Sequence, residues 1–173
     1  MIIYVTGDAT QPEYGSTERL IIHVVNDVGG WGRGFVGSLS RRWPRAEHSY
    51  REWHRTGADM YGGEFKLGNI QPVRVDDQHI VVNMLAQKGY KSDDNPVPLS
   101  YEALACCLRS VKQLAGAFPQ PPSIHAPKLG SGLAGGEWPK IVKLLDGVLK
   151  EYAVYIYNFE PLRLIGKNNN EAP

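Results

Sequence analysis

"NDVGGWGRGFVG", residues 26–37, places five glycines around one tryptophan and one arginine, directly after the apolar run "LIIHVV". Glycine loses more backbone entropy on folding than any other residue, so such a cluster marks a place where main chain approaches something closely. The preceding "RLIIHVVN" is apolar without alternation, the pattern of a strand buried on both faces. The following "FVGSLSRRW" reads as a helix ended by Pro44. A glycine loop between a strand and a helix is where main-chain N–H groups and a helix N-terminus hold phosphate oxygens. "KLGSGLAGGEW", residues 128–138, repeats the arrangement between the predicted strand "PSIHAPKL" and the predicted helix "GEWPKIVKLLDGVLKEY".

Gly32, Gly34 and Gly37 match G-x-G-x-x-G, and so do Gly130, Gly132 and Gly135. One match is weak; two at strand ends of one small domain point to a ligand with adjacent phosphates, gripped from both sides. A dinucleotide-binding Rossmann unit asks for an acidic strand end about 20 residues beyond the glycines. That window here is "SYREWHRTGAD", which patterns as helix and loop. A Walker loop is excluded, because no Gly-Lys-Ser/Thr follows either cluster. Plain tight turns would explain the glycines, but a turn has no use for the large apolar Trp31.

Elsewhere "IIYVTG" reads as a short strand that stops at Gly7-Asp8. "RAEHSYREWHRTG" reads as a helix stopped by Gly57, and "FKLGNIQPVRV" and "HIVVNML" as strands joined by "DDQ". "PLSYEALACCLRSVKQLAGAF" reads as a helix with Ser100 as N-cap, and "AVYIYNF" as a last strand. Alternating strands and helices predict an α/β domain with a largely parallel sheet. The length of 173 residues suits one domain, and 42% hydrophobic with 21% charged residues suits a globular one. A formal net charge of +1 advertises no specific nucleic-acid or membrane surface. The adjacent Cys106 and Cys107 do not bridge each other and offer no metal spacing. The unbridged cysteines suit a reducing cytoplasm, and "MIIYVTGDA" has no basic or long apolar segment of a secretory signal; a cytoplasmic location is expected, and a monomer.

Taken together, these segments resemble the macrodomain family. "YVTGDAT" (4–10) resembles its opening strand and Gly-Asp turn. "IIHVVNDVGGWGRGFVGSLSRRWP" (21–44) is similar to its first phosphate and distal-ribose loop, and "IVVNMLAQ" (80–87) to the strand entering the distal-ribose pocket. "HAPKLGSGLAGGEW" (125–138) resembles its second phosphate loop, and "VYIYNF" (154–159) its closing strand. The branch it resembles contains the terminal ADP-ribose protein glycohydrolases and the yeast-type ADP-ribose 1″-phosphate phosphatases.

The resemblance implies a three-layer α/β/α fold with a mixed, about six-stranded sheet, spanning residues 1–159, with a flexible tail over 160–173. It implies an ADP-ribose pocket with no cofactor and no metal. Gly7, Asp8 and Ala9 would face the adenine, with Asn158 and Phe159 beside it. Gly30, Trp31, Gly32, Arg33, Gly34 and Phe35 would form one phosphate loop. Leu129, Gly130, Ser131, Gly132, Leu133 and Ala134 would form the other. Asn26 and Gln87 would orient the distal ribose as the catalytic pair.

The pattern breaks at two positions. The lysine-dependent glycohydrolases of this branch use a lysine where this chain has Gln87 and an aspartate where it has Ala134. Glutamine forms no Schiff base, and Lys88 on a continuing strand would face the other way. The resemblance therefore implies lysine-independent, substrate-assisted hydrolysis of mono-ADP-ribose ester-linked to Glu or Asp side chains of proteins. The alternatives are an ADP-ribose 1″-phosphate phosphatase and a non-catalytic ADP-ribose reader. His23 has two readings, an acid or base in the pocket or a core histidine. A helical interaction module built on residues 98–118 explains neither glycine loop.

Overall fold

The computed structural model describes residues 1–159; the tail expected over 160–173 lies outside them. In chain order the elements are β1 (Ile2–Thr6), β2 (Arg19–Asn26), α1 (Phe35–Arg42) and α2 (Pro44–Thr56). The two-residue strands β3 (Ala58–Asp59) and β4 (Gly63–Glu64) follow, then β5 (Ile70–Arg74) and β6 (His79–Gln87). The chain continues through α3 (Tyr101–Gly116), β7 (Ser123–Pro127), α4 (Trp138–Leu149) and β8 (Val154–Asn158). Six strands form one sheet in the order β1-β8-β7-β2-β6-β5, parallel except for β5, which runs antiparallel to β6. This is the mixed six-stranded sheet expected.

The continuous apolar runs are explained by burial on both faces. Along β2, Leu20 and Ile22 join one core with Val82 and Met84 of β6. That core is covered by Leu104, Leu108 and Val111 of α3 and by Ile141, Leu145 and Leu149 of α4. The alternating Ile21 and Val25, with Val81 and Leu85, face the opposite way against Leu39, Ala46, Tyr50 and Trp53 of α1 and α2. Three layers result. No helix among the described residues is long and apolar enough to cross a membrane.

Local signals act where the sequence put them. The Ser100 side chain accepts from the Ala103 N–H, and Gly57 closes α2 in the left-handed region at φ 76°. The strand expected from Phe65 starts only at Ile70. Before it, the Asn69 N–H turns back to the Lys66 carbonyl at 3.0 Å, and Gly68 stands at φ 97°. The β3–β4 hairpin was not expected; Asp59 builds it by accepting from the Tyr61 and Gly62 amides at 2.8 and 2.9 Å.

Candidate functional site

Five parallel strands end on the same side of the sheet, and the loops that leave β1, β2, β6, β7 and β8 meet there. Ligands of open α/β sheets bind beyond the carboxyl ends of the strands. Two hollows of 450 and 500 Å³ lie in that place and share Gly34, Phe35, Pro127 and Lys128 as walls, so they form one trough. Each is of the size that holds a small ligand. Because β2 and β7 are neighbours in the sheet, both glycine loops border the trough, with Gly32 and Gly132 in the same hollow.

The first loop is held by side chains. A register shift between Val25 and Asn26 sets Asn26 opposite Gln87, and the Asn26 side chain then braces its own loop. Its Nδ2 donates to the Gly30 carbonyl at 2.6 Å, and its Oδ1 accepts from the Val28 and Gly30 amides at 3.1 Å each. The Tyr50 hydroxyl donates to the Asn26 carbonyl at 2.6 Å. Burial pushes the Tyr50 phenol well above its ordinary pKa, so it keeps the proton it donates. Trp31 lines the hollow but is buried; its Nε1 donates to Ser40 Oγ at 2.7 Å, and its ring sits against His23 and Tyr50. Trp31 is thus the anchor of a turn, the use that the sequence reading denied it.

Gly32 and Gly34 stand at φ 69° and 84°, and a Cβ on either would meet nothing within 4 Å. Backbone shape, not crowding, requires glycine there. Gly34 then caps α1, whose first turn leaves the Phe35 and Val36 N–H groups without helical partners beside the trough.

Of the residues proposed from sequence, Asn26, Gly30, Trp31, Gly32, Arg33, Gly34, Phe35, Gln87, Leu129, Gly130, Gly132, Leu133 and Ala134 line one hollow. Gly7, Asp8, Ala9, Asn158 and Phe159 line the other, together with Gly34 and Phe35. Ser131 lines neither; its hydroxyl turns back to the Lys128 carbonyl at 2.9 Å. Asp8 Oδ1 is engaged by the Thr10 amide and hydroxyl, both at 2.8 Å, while Oδ2 has no donor among the described residues. Gln87 Nε2 donates to the Gly89 carbonyl at 2.9 Å. Among the described residues no donor pairs with its Oε1. Lys88 is exposed and borders neither hollow.

Sequence reasoning missed Tyr90, Lys91 and Lys128 in the first hollow, and Ser38, Arg41 and Tyr157 in the second. Lys128 was findable, since it follows Pro127 at the strand end that opens the second loop. Among the described residues, the hollow that holds Asn26 and Gln87 carries three cations, Arg33, Lys91 and Lys128, and no carboxylate.

His23 also borders this hollow while only 2% exposed. Its Nε2 lies 2.5 Å from Asn83 Oδ1, Asn83 Nδ2 donates to Gln71 Oε1 at 3.0 Å, and Gln71 Nε2 donates to Asp59 Oδ2 at 2.9 Å. The Asp59 carboxylate only accepts, so each amide in this chain has one orientation, and His23 must donate from Nε2. Burial would raise the Asp59 carboxyl, but hydrogen bonds from Gln71 and the two hairpin amides hold it below its usual range. Burial lowers the His23 pKa to about 4, against the opposing Asn83 contact, so the ring is neutral at physiological pH.

No protein-family model matches the chain. A macrodomain protein from Streptomyces coelicolor is 39% identical, with a TM-score of 0.77, covering 91% of this chain and 99% of that one. The chromodomain-helicase-DNA-binding protein 1-like of Danio rerio is 30% identical over 141 residues, 79% of this chain. The match spans only 13% of that relative's length. The ADP-ribose 1″-phosphate phosphatase of Candida albicans is 23% identical over 80% of this chain and 87% of its own. With the α/β/α layers and the paired glycine loops at the strand ends, the likeness to the Streptomyces protein over nearly its whole length makes this chain a member of the macrodomain family.

Proposed function

We propose that the trough binds ADP-ribose and that the chain hydrolyses mono-ADP-ribose esters on the Glu or Asp side chains of proteins. The observation that carries this reading is a cationic hollow without a carboxylate, bounded by two glycine loops. The diphosphate would rest between the loops on main-chain N–H groups, with Arg33 and Lys128 adding charge. Adenosine would extend to Asp8, whose unengaged Oδ2 suits the exocyclic amine. The distal ribose would extend to Gln87, whose Oε1 suits a hydroxyl.

With no carboxylate among the described residues of this hollow to act as base, the attacking water is positioned by the substrate's diphosphate. Its oxygen bonds to the anomeric carbon as the bond to the ester oxygen breaks. The electron pair leaves on the carboxylate, and the water's proton passes by a diphosphate oxygen to solvent. Asn26 contributes by holding the loop, Gln87 by orienting the ribose.

Incubation with glutamate-linked mono-ADP-ribosylated protein tests this. Free ADP-ribose is expected, unchanged by EDTA and with no borohydride-trapped adduct, and serine-linked substrate is expected to resist. Gln87→Ala should slow turnover roughly 10- to 1000-fold while ADP-ribose still binds. An adduct trapped on Lys88 or Lys91 overturns the substrate-assisted route, and binding without cleavage makes the protein a reader. The resemblance to the Candida phosphatase favours a second reading, release of phosphate from ADP-ribose 1″-phosphate, which a parallel incubation with that compound detects as free phosphate.

A further inference from the structure

The segment that follows β6 carries residues to the trough that no glycine motif announces. It is tied down along its length. The Lys88 N–H donates to the Pro98 carbonyl at 2.9 Å, and the Gly89 N–H donates to Asp27 Oδ1 at 2.8 Å. Asn95 Nδ2 donates to the Lys88 and Tyr90 carbonyls at 2.8 and 3.0 Å. Ser92 and Asn95 exchange main-chain hydrogen bonds at 3.1 Å each way. Fixed in this way, the segment presses the Tyr90 hydroxyl against Gly30, where a Cβ would collide with it. Gly30 is also the residue that Asn26 braces, so this loop closes the Asn26–Gln87 end of the trough. The next residue, Lys91, lines the same hollow. Among the described residues it makes no salt bridge.

We propose that Lys91 reads the group bonded to the distal ribose: its ammonium pairs with an oxyanion at the anomeric carbon, the phosphate of a 1″-phosphate or the carboxylate that develops as the ester bond breaks. This rests on the reading of the trough as an ADP-ribose site. Arg33 and Lys128 border the glycine loops that would hold the diphosphate, which leaves Lys91 as the cation on the loop that closes the ribose end. The same charge that favours a bound oxyanion favours its departure as carboxylate or phosphate in the step described above. It also repels a cation there, so a pyridinium substituent, as in NAD, is disfavoured.

Calorimetry with ADP-ribose and two analogues that resist hydrolysis, a 1″-methylenephosphonate and a 1″-carboxymethyl compound, separates the two sources of oxyanion. Wild type should bind at least one analogue about tenfold tighter than ADP-ribose, the effect of one charge-assisted hydrogen bond. Lys91→Met should bind all three within twofold of one another, and Lys91→Arg should retain the preference. A preference for only one analogue supports the proposal and names the anion. A wild type that prefers neither, or a Lys91→Met protein that keeps the preference, overturns it. Absence of ADP-ribose binding in wild type overturns the underlying reading instead, and is seen in the first titration.

Discussion

The two glycine loops face one trough, yet they are built in opposite ways. The first is held by side chains reaching into the core: Asn26 under its turn, Trp31 on Ser40, Tyr50 on the Asn26 carbonyl. The second is held largely by main-chain hydrogen bonds and by close packing against its glycines. The Gly136 N–H donates to the Gly130 carbonyl at 2.8 Å, and the Leu99 N–H donates to the Ala134 carbonyl at 3.0 Å. A Cβ on Gly136 would meet Leu99 and stand 2.6 Å from the Gly130 carbonyl oxygen. Losing a side chain therefore damages the first loop, while at Gly136 it is gaining one that damages the second, although both offer the same chemistry to a ligand.

Trp31→Ala should break the first loop most completely. It removes a buried ring packed on His23 and Tyr50 and leaves Ser40 without its donor. Such a cavity costs about 3–5 kcal/mol, which lowers the melting temperature by on the order of 10 °C in a chain of this size. A melt within 2 °C of wild type would mean that the loop does not hang on its side chains. Gly136→Ala tests the second loop by the reverse operation and should cost about 1–3 kcal/mol through overpacking. If it melts like wild type, the second loop yields more readily than its packing implies.

The same contrast explains what the sequence disclosed. Apolar runs such as "RLIIHVVN" and "HIVVNML" announced central strands because the sheet is covered on both faces, and the glycines announced the loops between them. The β3–β4 hairpin was invisible because its strands are two residues long and its turn hangs on Asp59, which Gln71 reaches from β5. Trp31 was recognised as out of place in a turn, but its partners Ser40 and Tyr50 lie nine and 19 residues on in the sequence, and only the α1–α2 packing brings them back. Tyr90 and Lys91 gave no signal, since Asp27 and Asn95 fix their loop through contacts that no periodicity encodes.

Each loop also follows a strand with a buried histidine, and acid should unlock both. His125 is held between Ser123 Oγ at 2.8 Å and the Tyr157 hydroxyl at 3.0 Å, and burial, with Arg19 and His79 adding to it, lowers its pKa to about 3. Both it and His23, at about 4, lie below the ordinary 6.5. The unfolded chain thus takes up protons that the native state refuses. Their contribution is complete above pH 6.5 and is lost as pH falls from there through about 4 for His23 and about 3 for His125. Each histidine should add about 1.4 kcal/mol per pH unit to the slope of stability against pH below 6. Urea melts between pH 7 and 5 measure it, and His23→Gln should remove one proton's share. A flat profile would show that neither ring is held neutral by its burial.

The smallest expected effect on stability belongs to Gly132→Ala, and it is the sharpest test of what the loops are for. Unlike Gly32 and Gly34, Gly132 is not in the left-handed region, and a Cβ there meets nothing within 4 Å. The substitution therefore adds neither strain nor overlap to the protein, and its melt should stay within about 0.5 kcal/mol of wild type. Gly132 borders the same hollow as Gly32, where the proposed diphosphate would lie. A methyl group there pushes the phosphates off the loop's N–H groups, and losing one charge-assisted hydrogen bond weakens ADP-ribose binding about tenfold or more. Gly34→Ala loses affinity too, but through a backbone forced from φ 84°, and it lowers the melt with it by about 1–2 kcal/mol. Calorimetry and melting on the two variants together separate ligand contact from loop shape. Full affinity in Gly132→Ala would leave the second loop a turn that merely borders the trough.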